Sequence, residues 1–553
     1  MSTYKQPVVG TRAVITTNHP EASAAGLEML AMGGNAIDAA VAALFSLSVV
    51  EPMMVSPMGA GFFVIRHGAS GEVTTLDNYS TAPAAAKADM FEPVPGSLEN
   101  EAVDRLNDVG HLAVGTPGAL AGWLRVLDNY GRLSRAEVIA PAIRQARRGF
   151  FVSPYLAFCI DAEQESLARF PASAEIFLPG GSPPAVGDRI VRGDYAQTLE
   201  RIAENGLDEF VTGQTADAIL AEMERGGGVL TRDDLAGYEL KDREPVRGSY
   251  RGFEIAALGP VSSGGTHIVQ MLRILEGYDL ASYGFGSVER VHLVAEALKV
   301  AFADRFRYMA DPAQVDIPVG MLTSAAYADQ RRAEIGDANG SARQYQAGEF
   351  GDLGESNCTT HLNVADADGN VVSATQTLNS LFGSRVTATG TGLLLNNTMR
   401  NLDPVPGRTN SIAPGKRILS SMSPTIVLKD GQPVLAIGTP GGHRIFAAVL
   451  QGIMNVIDFG MPAQEAVEAP RIWTMGPILE IEDTFPDLAN VVNGLERRGH
   501  RVSVVAKIAG GMSAIALDPE SGVMTGAACW RADGTPAALA GGGARLVDEV
   551  VWK

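Results

Sequence analysis

The chain has 553 residues, with 44 Lys or Arg against 63 Asp or Glu and a formal charge of −19. A non-specific grip on nucleic acid or anionic lipid needs clustered cations that displace counterions, so this balance excludes both as partners. With 46% hydrophobic and 19% charged residues there is material for large buried cores, and length alone suggests roughly three domains. No segment approaches the ~20 consecutive apolar residues of a membrane helix. The longest candidate, residues 39–50, is short and interrupted by serines. The start, MSTYKQPVVGTRAV, lacks a basic stretch followed by an apolar run, so no secretory signal is expected and the expected compartment is the cytoplasm. Cys159, Cys358 and Cys529 are too few and too scattered for a disulfide framework or a CxxC metal site. Cys159 and Cys529 sit in apolar surroundings and read as core residues.

After an extended start, His19 and Pro20 open a helix whose apolar face is spaced by Leu27, Leu30 and Met32, and which Gly33 and Gly34 close. An almost wholly apolar helix follows at 36–50, which predicts burial between layers. Residues 61–65 read as a short strand and 72–77 as its partner. The stretches 82–107 and 179–187 are polar, or rich in Pro and Gly, and predict surface excursions. Further helices are predicted at 120–129, 136–147, 195–204, 215–224 and 288–308. Residues 328–354 are polar, Gly-rich and poor in large apolar side chains, as an exposed linker would be. From Thr359 onward period-2 runs predict strands at 361–365, 371–378, 392–395, 425–429 and 433–437.

There is no Walker loop, HExxH, EF-hand loop or GxSxG elbow, and the eight histidines show no metal-ligand spacing. No metal or nucleotide cofactor is therefore expected, and His292, alone in its helix, reads as a core residue. The informative segment is GESNCTTHLNVADADGNVVSATQTLNSLFGS, from Gly354 to Ser384. A turn at 366–370 folds one alternating strand onto the next, and a hairpin centred on Asp368 sets Thr359 across from Thr377. This layout suits an N-terminal nucleophile: once chain cleavage frees the threonine α-amine, with a pKa near 7.7 to 8.0, that amine can take the proton of its own hydroxyl.

The segment resembles the catalytic centre of the γ-glutamyltranspeptidase (γ-glutamyltransferase, glutathione hydrolase) family, and the resemblance spans nearly the full chain. Upstream it is carried by GGNAIDAAVAAL from Gly33, SPMGAGFFVIR from Ser56, VGTPGALAGW from Val114, GPVSSGGTHIVQ from Gly259 and AEALKVAFADRFRYMADP from Ala295. Downstream it is carried by LLLNNTM from Leu393, KRILSSMSPTIV from Lys416, GTPGGHRI from Gly438 and EAVEAPRIW from Glu465. The resemblance implies an α+β fold, the four-layered αββα sandwich of N-terminal nucleophile hydrolases. It implies a proenzyme that cuts itself between Cys358 and Thr359 into a large subunit, 1–358, and a small catalytic subunit, 359–553. By the family pattern Thr359 attacks an amide carbonyl, Thr377 orients it, and the N–H groups of Gly441 and Gly442 form an oxyanion hole. The acyl-enzyme then passes to water or to an acceptor amine. Cys358, beside the scissile bond, ends as a chain terminus and is read as a bystander. Whether several heterodimers associate is left open.

The family's grip on a γ-glutamyl donor is only partly present. Its RExAP-like run, whose arginine holds the α-carboxylate, is YSTAP here, with Tyr79 at the arginine position and Ser80 at the acidic one. The pair that binds the α-amine falls at Thr398 and Asn401, neither of which is charged. Asn379, Ser420 and Ser421 match positions that bind the carboxylate. Losing a charge-assisted partner of this kind costs about 1.5 to 3 kcal/mol. Arg400 for a carboxylate and Asp403 for an amine are local substitutes, and the run from Arg400 to Leu419, shorter than in lidded members, implies an open cleft. The expected activity is hydrolysis or transfer of γ-glutamyl or related amides. A dicarboxylic, glutaryl-type acylase and an uncleaved, non-catalytic binding relative are the alternatives.

Overall fold

The computed structural model describes residues 3–95, 100–345 and 358–541. Fourteen strands form two seven-stranded sheets: β1 (Val8–Gly10), β2 (Ala13–Thr17), β3 (Ala60–Arg66), β4 (Val73–Asn78), β5 (Lys241–Arg243), β6 (Val246–Tyr250), β7 (Phe253–Ala257), β8 (Cys358–Asp366), β9 (Val371–Asn379), β10 (Thr425–Lys429), β11 (Gln432–Gly438), β12 (Ser513–Leu517), β13 (Met524–Ala528) and β14 (Thr535–Leu539). One sheet runs β1-β13-β12-β11-β10-β7-β6 and the other β14-β2-β8-β9-β3-β4-β5.

Alternation along the strands builds the layers, because successive side chains point to opposite faces. On β3, Phe62 and Val64 join Ile426 and Leu435 of the other sheet in one core cluster. Phe63 and Ile65 join a second cluster under α1 (Pro20–Ala31), α2 (Ala36–Val50), α3 (Ala119–Tyr130) and α4 (Arg135–Arg148). The opposite helical layer contains α5 (Gly264–Glu276), α6 (Val288–Tyr308), α7 (Ala325–Ile335) and α8 (Ile445–Ile457), whose apolar residues belong to the first cluster. The result is the expected αββα sandwich. Helix α2 is buried along its whole length, as its composition predicts, and a capping box between Asn35 and Asp38 starts it.

Three expectations are corrected. The length-based division into roughly three domains fails, because both sheets combine strands from before and after residue 358 and each core cluster draws on both parts. The stretch 328–354 begins inside α7, where Ser324 caps the helix and Ala328 and Ile335 turn inward; residues 346–354 lie outside the described residues. The excursion at 82–107 is irregular but not merely superficial: Ala82, Ala86, Phe91 and Ala102 are buried, because widely spaced apolar residues fill the core margin without a regular helix or strand. By contrast 179–187 is largely exposed, as predicted. The predicted helices and strands fall within a few residues of those observed, except that 392–395 shortens to a two-residue strand, Leu393–Leu394. No described helix is long and apolar enough to cross a membrane.

Candidate active site

The hairpin of β8 and β9 carries Thr359, the nucleophile expected from the sequence. Its turn closes because the Asp366 carboxylate accepts the N–H groups of Asp368 and Asn370, each at 3.0 Å, while Gly369 takes a φ of 82°. Pairing of Thr360 with Gln376 and Ala365 with Val371 centres the register on Asp368, with an irregularity between Cys358 and Thr360. Thr359 therefore faces Thr377, as the sequence predicts. Both are buried, and the Thr359 hydroxyl donates to Thr377 Oγ1 at 3.3 Å. The Thr377 hydroxyl donates to the Cys358 carbonyl oxygen at 2.5 Å and accepts the Asn379 N–H at 2.8 Å. In the continuous chain, the peptide preceding Thr359 is thus polarised by the same hydroxyl that accepts from Thr359.

Period 2 also sets which face each residue uses. Cys358, Leu362 and Val364 of β8 join the cluster under α2. His361 and Asn363 face the other sheet, where Asn363 Nδ2 donates to the Ser513 carbonyl at 3.1 Å. By the same alternation the Thr359 side chain lies between the sheets. In the loop after β11, Gly441 has φ 139° and Gly442 φ 57°, conformations an L side chain rarely adopts. Among the described residues neither of their N–H groups has a hydrogen-bond acceptor.

This loop is held from behind. Gly510 N donates to Pro440 O at 2.9 Å, and Thr439 Oγ1 donates to Gly510 O at 3.2 Å. The buried Arg471 guanidinium donates to the carbonyls of Ile508 and Gly510, and the Glu482 carboxylate accepts the Ile508 N–H at 2.6 Å. Sequence reasoning missed this buttress, since its members are spread from Arg471 to Gly510 with no local pattern.

The expected substrate groups are placed as follows. Tyr79 is buried and stacked on Phe62 at 4.9 Å, and its hydroxyl accepts from Asn401 Nδ2 at 3.3 Å. Asn379, at φ 88°, donates to the Asn397 carbonyl at 3.2 Å. Thr398 donates to Asn396 Oδ1 at 2.8 Å. Ser420 accepts from Met422 N at 3.2 Å, and Ser421 accepts from Arg305 Nη2 at 3.0 Å. The two charged substitutes are tied into the fold: Arg400 pairs with Asp108 at 3.4 Å, and Asp403 with Arg408 at 3.1 Å. Burial alone would raise the Asp108 carboxyl, but Arg385, Arg400 and Arg105 outweigh it and hold it at about 2. Arg305 lies inside a quoted motif, yet nothing in its spacing marks it as a partner of Ser421.

Linear spacing shows no metal ligands, but the fold gathers His292, Glu296 and His500, with ligand atoms within 4.8 Å of one another. Glu296 is taken up by Lys299 Nζ at 2.7 Å, Tyr345 OH at 2.7 Å and Arg343 N at 3.2 Å, while His292 bonds His500 at 2.9 Å. These contacts fit a buried polar cluster joining α6 to the strand-entry turn at His500. All three cysteines are buried.

Buried imidazoles give a pH dependence. Burial lowers His361 and His267 to about 3, and both are fully buried with hydrogen-bonded rings. The unfolded chain protonates them near 6.5, so as pH falls below that value the unfolded state binds more protons and stability is lost until about pH 3. Each contributes roughly 1.4 kcal/mol per pH unit, about 4 kcal/mol for the pair at pH 5, a large part of a typical net stability of about 5–15 kcal/mol. Urea unfolding at pH 7.5 and 5.0 is expected to show this loss; equal stability at both would mean that these rings are not held neutral.

Two stacked sheets between helical layers, with a threonine at the head of an inner strand, define an N-terminal nucleophile hydrolase fold. A model of the gamma-glutamyltranspeptidase family matches residues 22–539. The chain is 52% identical over 543 residues to an acylase ACY 1 proenzyme of Pseudomonas sp. (strain SE83), covering 98% of this chain and 96% of that protein. It is 40% identical over 515 residues to the glutathione hydrolase proenzyme of Escherichia coli (strain K12), covering 90% and 87%. The crystal structure of cephalosporin acylase from Bacillus halodurans is similar with a TM-score of 0.88 at 32% identity, over 98% of each chain. The chain belongs to the gamma-glutamyltranspeptidase family.

Proposed function

We propose that this chain is a self-cleaving amide hydrolase or acyltransferase whose nucleophile is Thr359, acting on amides of short dicarboxylic acids. The observation that carries the reading is the Thr359–Thr377–Cys358 arrangement: a hydroxyl beside its own preceding carbonyl, with a second hydroxyl donating to that carbonyl oxygen. Thr359 Oγ1 adds to the Cys358 carbonyl carbon and the C–N bond breaks. The nitrogen takes a proton to become the α-amine, and water hydrolyses the resulting ester. In the mature site that amine accepts the Oγ1 proton as the oxygen attacks a substrate amide. The leaving amine takes the proton, and the acyl-threonine passes to water or to an acceptor amine. Gly441 and Gly442 hold the oxyanion in this second reaction. Large and small subunits of residues 1–358 and 359–553 follow, held together by sheets to which both contribute.

An acylase-type donor is favoured over γ-glutamyl because Tyr79 and Asn401 bond each other through neutral groups, so neither supplies the charge that an α-amino acid end requires. The similarity to an acylase proenzyme at 52% identity supports the same choice.

A denaturing gel of the purified protein, followed by assay with γ-glutamyl, glutaryl and succinyl anilides, tests the reading. Two fragments in a roughly two-to-one mass ratio and turnover of glutaryl or succinyl anilide are expected. One intact band after long incubation favours a non-catalytic relative, and γ-glutamyl preference overturns the donor assignment. Replacing Thr377 with Val removes all three hydroxyl contacts, those to Thr359, Cys358 and Asn379, and is expected to slow self-cleavage by about 10- to 100-fold, on the scale of one to two hydrogen bonds, as followed by band intensity over time.

A further inference from the structure

We propose that Glu51 is the general base for the water that completes self-cleavage, with the Thr360 hydroxyl holding that water beside it; the inference rests on the self-cleavage reading given above. Glu51 directly follows the last turn of α2, where its N–H donates to the Leu47 carbonyl at 2.7 Å. The turn it opens is docked on the end of β9. The Met54 carbonyl accepts the Leu378 N–H at 2.8 Å, and the Met53 carbonyl accepts the Phe382 N–H at 2.9 Å. Leu378 follows Thr377, whose hydroxyl donates to the Cys358 carbonyl oxygen, so this turn is tied to the strand end beside the scissile peptide. Cys358 belongs to the core cluster that also contains the apolar residues of α2. Thr360, one residue past the nucleophile, meets the Glu51 carboxyl.

Glu51 is 2% exposed and Thr360 is fully buried, yet among the described residues neither Glu51 Oε2 nor Thr360 Oγ1 has a hydrogen-bond partner. Leaving a buried carboxyl oxygen and a buried hydroxyl unsatisfied is costly, and an apolar side chain of similar size would fill the same space without that cost. Two such groups side by side are a setting in which proteins hold a single buried water. The titratable and charged groups around the carboxyl are Asp533, Cys358, and Tyr155 and Cys159 of the helix Pro154–Ala162, with Lys507 at 5.5 Å from the Tyr155 ring. Burial pushes the Glu51 carboxyl up to about 8, with Thr360 opposing and Asp533 adding to the rise. It therefore exchanges its proton near neutrality, where a base for water is most effective. The step balances as follows. The water oxygen adds to the Cys358 carbonyl carbon of the ester while Glu51 takes one of its protons. The C–Oγ1 bond breaks, Thr359 Oγ1 takes up that proton, and the new Cys358 carboxyl releases the second one to solvent.

The test follows fragment formation by wild type, Glu51→Gln and Thr360→Val on denaturing gels, with and without hydroxylamine added to the folded protein. Hydroxylamine attacks an ester without help from a base and marks Cys358 as a hydroxamate, which mass spectrometry reads. In buffer, Glu51→Gln is expected to form fragments about 100-fold more slowly or worse, the scale of one general base. Hydroxylamine is expected to restore its cleavage, because the ester still forms. The wild-type rate is expected to rise with pH through about 8, and the residual rate of Glu51→Gln to lose that rise. Thr360→Val, equal in size and with the carboxyl intact, is expected to slow fragment formation about 10-fold with the same rescue, and it carries the test if Glu51→Gln does not fold. Wild-type speed in Glu51→Gln, or slow cleavage that hydroxylamine does not restore in either variant, overturns the assignment while self-cleavage stands. A wild-type chain that stays intact with and without hydroxylamine sinks the self-cleavage reading itself, and the role of Glu51 with it.

Discussion

Thr359→Ala is expected to remain one continuous polypeptide with no measurable amide turnover, while Thr359→Ser keeps both activities at reduced rate. The reason is that Thr359 serves twice in the mechanism proposed above. Its hydroxyl is the group that hydrogen-bonds Thr377, whose own proton lies on the Cys358 carbonyl oxygen. Removing that oxygen leaves the scissile peptide polarised but with nothing to attack it, and without cleavage the α-amine that would act as base is never formed. Serine restores the oxygen and lacks only the methyl that restricts its rotamer. Mass spectrometry of the purified variants reads the outcome directly. Two fragments from the alanine variant would mean that another side chain cuts the chain, and amide turnover by an intact chain would remove Thr359 from the mechanism altogether.

A second large effect is expected for Gly441→Ala. A Cβ at this position would lie 2.8 Å from both Cα and Cβ of Ala509, at a φ of 139° that L residues rarely adopt. The loop must move, and with it the N–H groups of Gly441 and Gly442. Loss of one oxyanion donor lowers kcat by about 100- to 1000-fold. Self-cleavage is expected to survive, because the oxygen that becomes negative in that reaction is the Cys358 carbonyl, already bonded to Thr377. The variant should therefore run as two bands and turn over poorly, with KM little changed. Normal kcat would place the oxyanion elsewhere. Loss of cleavage together with activity would show that the loop serves both reactions.

Much of this site is legible in the linear chain. The run from Thr359 to Leu378 alternates cleanly, its turn residues match a tight connection, and the register follows by counting outward from Asp368. The helix at 36–50 is apolar on every side, and the caps at Asn35 and Asp38 are adjacent to it, so its burial and its start are both local statements. What misleads is equally physical. Residues 328–354 look like a linker because large apolar residues are rare there, yet Ala328 and Ile335, seven residues apart, suffice to dock two helical turns. Arg400 and Asp403 look like replacements for a lost clamp because they are charged and near the site; Asp108 and Arg408 had already engaged them.

By itself, then, the order of residues determined the β8–β9 hairpin and its register, the burial of the helix at 36–50 and, through its ordered motifs, the family and with it the αββα class, because each depends on neighbours a few positions apart or on contiguous motifs. Only the tertiary structure decided that both sheets combine strands from before and after residue 358, pairing Asn363 with Thr16, hundreds of positions away. The same is true of the hydrogen bond from Arg305 to Ser421 and of the Arg471–Glu482 support behind the Gly441–Gly442 loop. Those contacts join residues tens to hundreds of positions apart, and no local periodicity encodes them. They are selected by which buried polar groups can satisfy one another once the layers have closed.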